Sequence, residues 1–149
     1  MADPLGPAAW GDAPLLIDTS AWSRAHHPLV RERWSESLLA GRMRLSPAVR
    51  LEILLSARGG ENFDLLAEIL GALRAAPLTA TIAGAAQAAM RTLAHRSAGS
   101  QRLPVVDYLV AAAAQETRAA VIHYDRDYDT LAEMMVFDSV WLAPPGSLP

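Results

Sequence analysis

The chain has 149 residues, 52% of them apolar and 19% charged, with a formal net charge of −3; that length carries one domain around a single core. It contains no cysteine, and its 13 basic residues are all arginine. These two absences exclude disulfide scaffolds, thiolate zinc sites, thiol nucleophiles, Schiff-base lysines and the phosphate-binding lysine of P-loop enzymes.

Residues 1–13 read as a disordered or loosely docked arm, because Pro4, Gly6, Pro7 and Gly11 block regular structure. Trp10 within it is a candidate for docking on a partner. Residues 14–149 then form a single domain. The apolar run Pro14-Leu15-Leu16-Ile17, ending on Asp18, predicts a short buried strand. A helix follows from Pro28 to Ala40, closed by Gly41. Met43 to Ser46 predicts a second strand, and Ser46-Pro47 opens a helix to about Arg58, with serine as N-cap and proline in the first turn. Further helices are expected over 62–76, 80–97 and 104–118. Ala119 to Tyr124 predicts a strand that runs into Asp125. A short helix over 127–134 and a strand over 140–142 complete the order. Strands alternating with helices imply a mainly parallel sheet covered on both faces, an α/β fold.

Most of the 16 acidic residues sit where a solvated surface wants them. Four do not. Asp18, Glu52, Asp107 and Asp125 each stand as the lone acid in an apolar stretch, where an uncompensated carboxylate is costly. Asp18 and Asp125 follow strands, while Asp107 and Glu52 fall in the first and second turns of helices. In an open parallel sheet these positions share the rim at the strand C-termini, where ligands bind. Four carboxylates meeting there would repel one another unless a hard cation lay between them. Mg²⁺ or Mn²⁺ suits an all-oxygen set without cysteine, and such a site activates water for in-line attack on a phosphodiester. Taken singly, each acid also fits a structural role: Asp107 as a first-turn acid favoured by the helix dipole, Asp18 as an Asx turn with Thr19 and Ser20.

The four acids lie in segments that resemble the motifs of PIN-domain nucleases, and in particular of VapC-type toxins of bacterial toxin–antitoxin pairs. These segments are Leu16-Ile17-Asp18-Thr19-Ser20-Ala21-Trp22, Ser46 to Glu52, Leu103 to Ala112 and Val121 to Tyr128, in order across residues 14–143. The resemblance implies a three-layer α/β/α sandwich and a metal-dependent endoribonuclease. It also implies a small cognate antitoxin and a homodimer. It makes Asp18, Glu52, Asp107 and Asp125 the catalytic, metal-binding acids, and adds Asp127 as a supplementary acid whose alternative is a helix cap. Thr19 and Ser20 become supporting hydroxyls beside Asp18.

Arg42, Arg44 and Arg50 flank the second motif and are candidates for steering RNA phosphates, with ordinary surface arginines as the alternative. His26, His27 and His95 read as surface histidines. A strand-end aspartate also occurs in haloacid-dehalogenase-type phosphatases, yet these want a second acid where Ser20 stands, and a lysine. A PIN-like scaffold that acts by binding a partner is the alternative of a different class. No stretch reaches the roughly 18 apolar residues of a membrane span. The first residues lack a basic signal-peptide region, so a cytoplasmic location is expected.

Overall fold

Leu15–Ile17 is an unbroken apolar triplet, and all three side chains are buried, as on a central parallel strand covered from both sides. In the computed structural model, which describes residues 10–149, this triplet is β1. The other strands are β2 (Met43–Leu45), β3 (Arg74–Ala75), β4 (Ala120–His123) and β5 (Asp138–Trp141). The helices are α1 (Thr19–Trp22), α2 (Arg31–Leu39), α3 (Pro47–Leu55), α4 (Gly60–Gly71), α5 (Ala80–Arg96), α6 (Val105–Thr117) and α7 (Asp127–Ala132).

The strands form one sheet in the order β3-β2-β1-β4-β5, and each neighbouring pair is parallel. The chain first builds outward from β1 to β3, then crosses back to add β4 and β5 on the other side. Strand order therefore reverses between β1 and β4, which are paired Leu15 to Ala120 and Ile17 to Ile122. One sheet face presents Leu15, Ile17, Met43, Ala120 and Ile122 to Ala21 of α1 and Trp34 of α2. The other presents Leu16 and Val121 to α3, α4, α5, α6 and α7, and Leu45 at the end of β2 packs into the same cluster. This is the expected α/β/α sandwich. Helix α6 buries Ala111, Ala112, Ala113 and Ala114 in that second layer, beside Ala86 and Ala89 of α5. Methyl-sized side chains let the two long helices approach closely.

Ser46 caps α3 as expected, accepting the Ala48 N–H at 3.2 Å with Pro47 in the first turn. Two expectations are corrected. The helix read over 62–76 stops at Gly71, and Arg74–Ala75 is instead an edge strand on β2, with Ala76 N–H donating to Leu45 O at 2.8 Å. A two-residue strand is too short to show a period of its own, so an open sheet edge decided it. Residues 1–9 lie outside the described residues, but Trp10 is 2% exposed. Its ring meets Trp34 edge-on at 6.5 Å, and its Nε1–H donates to Leu142 O at 3.3 Å. The expected partner-docking tryptophan thus docks on its own chain. Arg42 ties this segment down, donating to the carbonyls of Trp10 at 3.1 Å and Ala13 at 2.9 Å.

Candidate metal centre

Strand β1 delivers Asp18 to the sheet's C-terminal rim beside the reversal of strand order, and its N–H donates to Ile122 O of β4 at 3.0 Å. The side chain is 4% exposed. Its Oδ2 accepts the Ser20 N–H at 3.0 Å and the Ser20 hydroxyl at 2.5 Å, an Asx turn that starts α1. The same Ser20 oxygen accepts the Tyr124 N–H at 2.9 Å, which locks the end of β1 to the end of β4. The remaining oxygen, Oδ1, accepts the Tyr128 hydroxyl at 2.6 Å.

Asp107 enters from the first turn of α6 and is 6% exposed. Its Oδ1 lies 3.3 Å from Tyr128 Oη. Its Oδ2 is buried, and no donor among the described residues reaches it. Burial above all, then the charges of Asp18, Asp125 and Asp127, push this carboxyl up to about 8, with the Tyr128 hydrogen bond opposing. Asp125 follows β4 and Asp127 opens α7. The Asp127 N–H donates to Asp125 Oδ1 at 2.9 Å, which turns both carboxylates inward around one tight bend. Asp127 is also raised, first by burial and then by Asp125 and Asp18, against a lowering hydrogen bond with Asp107.

One oxygen from each of Asp107, Asp125 and Asp127 lies within 4.8 Å of the others. An octahedral cation with oxygens at about 2.0–2.1 Å needs trans ligands roughly 4.2 Å apart, so small side-chain movements close the site. A buried carboxylate oxygen without a donor, among like charges, is what such a cation resolves. Asp18 stands beside this trio, joined to it through Tyr128. Glu52 does not join it. Its Oε1 accepts the Thr19 hydroxyl, which ties α3 to α1 next to Asp18.

Residues 15–134 match the family described as PIN domain. The chain belongs to the PIN domain family. It is 37% identical over 133 residues to Ribonuclease VapC18 of Mycobacterium tuberculosis, covering 89% of this chain and 97% of that protein. It is 32% identical, also over 133 residues, to Ribonuclease VapC51 of the same organism, covering 89% and 96%. Among solved structures, DNA-bound VapBC from Salmonella typhimurium superposes with a TM-score of 0.70 at 15% identity, covering 89% of this chain and 100% of that one. VapBC2 from Rickettsia felis, bound to a promoter DNA fragment, gives 0.63 at 13%, covering 85% and 97%. At such identities the structures speak for the fold alone.

In this PIN domain the acid-bearing bend rests on residues that the acid pattern did not single out. His123 is fully buried, and its Nδ1 accepts the Asp125 N–H at 3.1 Å. Its Nε2 lies 2.6 Å from Ser139 Oγ, whose proton goes to Asp129 Oδ1 at 2.7 Å, so Nε2 carries the ring hydrogen. Trp141 Nε1–H completes the chain to Asp129 Oδ2 at 2.9 Å. Burial pulls His123 down to about 4, against the opposing charges of Asp129, Asp18 and Asp125, so the imidazole is neutral. Tyr128, also fully buried, stacks on that ring at 4.9 Å.

The three candidate RNA-binding arginines are not brought to the acids, and Arg42 is taken up by the carbonyls of Trp10 and Ala13. Arg44 donates to the carbonyls of Gly41 and Met43 and lines a small pocket with Pro14 and Ala119, which precede β1 and β4 at the opposite sheet end. Arg50 donates to Leu70 O in the last turn of α4 at 3.3 Å. Nearer the acids stand Arg126, exposed between Asp125 and Asp127 with its guanidinium 5.9 Å from the Trp141 ring, and Arg24, which donates to Ser20 O at 2.8 Å.

Proposed function

We propose that this PIN domain is a divalent-cation-dependent endoribonuclease, the toxin of a toxin–antitoxin pair, which hydrolyses RNA phosphodiester bonds. The observation that carries this reading is the donorless Oδ2 of Asp107, buried among the oxygens of Asp125 and Asp127. The relatives called Ribonuclease VapC support the activity, and the VapBC structures support a small antitoxin as partner. Asp107, Asp125 and Asp127 would hold the cation, and Mg²⁺ or Mn²⁺ suits their all-carboxylate donor set. Asp18 adds its charge from the strand end, positioned by Ser20, while Glu52 steadies α1 through Thr19. When bound, the cation lowers the pKa of water and offsets the charge that develops on the phosphate. Attack by water forms the new P–O bond as the bond to the leaving ribose oxygen breaks, so the chain needs no covalent nucleophile. Arg126, at the rim of the bend, meets the RNA backbone in place of Arg44 and Arg50.

The protein is expected to act in the cytoplasm as a homodimer, which sedimentation of the purified chain checks. Among the described residues no helix is long and apolar enough to cross a membrane. The test incubates the protein with cellular RNA in Mg²⁺ and in EDTA. Cleavage is expected in Mg²⁺ only, with a loss of about 10²-fold or more in Asp107→Asn. Undiminished cleavage by Asp107→Asn and Asp125→Asn, or in EDTA, would overturn the proposal. Folded wild-type protein that cleaves no RNA but binds a partner would favour the scaffold.

A further inference from the structure

Tyr128 places a neutral group between two buried carboxylates of different elements. Its hydroxyl is 2.6 Å from Asp18 Oδ1 at the end of β1 and 3.3 Å from Asp107 Oδ1 on α6. A phenol carries a single proton. It therefore serves Asp18 at the short distance and reaches Asp107 only at the longer one, an unequal sharing of one donor. That arrangement suits a pair of acids with no positive charge between them, because one hydroxyl bridges an oxygen of each. It suits them less once a cation draws both carboxylates, since the phenol oxygen then adds only a weak dipole beside a full charge.

We propose that the Tyr128 hydroxyl is a stand-in for the cation, holding Asp18 and Asp107 together in the metal-free protein and opposing cation binding. This inference rests on the reading of the acids as a cation site. It makes Tyr128 a positioning residue whose removal acts in a direction that no ordinary structural support predicts. By linkage, whatever the hydroxyl contributes to the metal-free state more than to the loaded state is subtracted from cation affinity.

The test is Tyr128→Phe, which keeps the ring stacked on His123. Mn²⁺ binding is measured by calorimetry on purified wild type and variant, with thermal melts in EDTA and in saturating Mn²⁺. A hydrogen bond to a charged acceptor is worth enough to predict roughly tenfold tighter Mn²⁺ binding in the variant. Its melting temperature should fall by several degrees in EDTA and much less in Mn²⁺. Unchanged or weaker Mn²⁺ binding, or an equal fall in both conditions, would overturn the role of Tyr128 and leave the cation site standing. Wild type that binds no Mn²⁺ would overturn the cation site itself, and this proposal with it.

Discussion

Asp107 holds its proton to about 8 in the fold against an ordinary 3.8, while His123 is pulled to about 4 from 6.5. Their effects on stability oppose each other. Between pH 3.8 and 8 the folded protein binds a proton at Asp107 that the unfolded chain has lost, so stability falls as pH rises. Between pH 4 and 6.5 the unfolded chain binds a proton at His123 that the fold refuses, so stability rises with pH. The two compensate up to pH 6.5, above which only the Asp107 contribution continues. Metal-free melts should therefore decline from pH 6.5 to 8, and Asp107→Asn should flatten the decline. Cation affinity should climb over the same interval, because binding needs the ionised carboxylate. At this scale the acids were legible in the sequence: a lone aspartate in Val-Val-Asp-Tyr-Leu-Val advertises its cost. Tyr128 was not, because a tyrosine three residues after a strand-end aspartate reads as ordinary core until its hydroxyl is seen between two carboxylates.

Elements place these side chains by means that sequence periodicity captures unevenly. Buried apolar runs marked β1 and β4, and Ser46-Pro47 marked the start of α3. The bend from β4 to α7 depends instead on His123, Ser139 and Asp129 in contact with Trp141, a connection from β4 through β5 to α7. Ser139→Ala should leave the fold intact yet lower RNA cleavage, by loosening the backbone N–H of Asp125 from a ring no longer anchored at Nε2; measured Mg²⁺ dependence should shift to higher concentrations. Trp10 is the other case. Its side chain is buried with Trp34 and Leu142, so Trp10→Ala should cost about 3–5 kcal/mol in denaturant unfolding, a loss that a loosely docked arm would not produce. Arginine placement also belongs here, since Arg44 points along the strand N-termini and Arg50 toward α4, whereas Arg126 lies on the acid-bearing bend.

Across the whole molecule, strand order sets where chemistry can occur. Reversal between β1 and β4 brings acids separated by more than a hundred residues to one rim, where their mutual repulsion is what a bound cation would relieve. Mn²⁺ at a hundred times its dissociation constant should raise stability by about 2.7 kcal/mol, seen as a higher melting temperature that EDTA reverses. A protein of net charge −3 whose basic residues are all arginine has only arginine to offer an RNA backbone. Arg126→Ala should weaken RNA binding in a filter or fluorescence assay, with a shallower dependence on salt.

Topology class was set by the sequence alone, which also pointed toward carboxylate chemistry. Without cysteine or lysine, and with lone acids after apolar runs, it left a carboxylate site on a parallel α/β sheet, and the order of its motifs matched the PIN family. Those features are local, because burial cost and strand periodicity are properties of a few consecutive residues. Which acids meet was decided only by tertiary structure. Asp107, Asp125 and Asp127 converge, Glu52 stops at Thr19, and Tyr128 lies between Asp18 and Asp107. Contacts of this kind depend on helix rotation and side-chain reach at the sub-ångström to ångström level, which no spacing along the chain encodes.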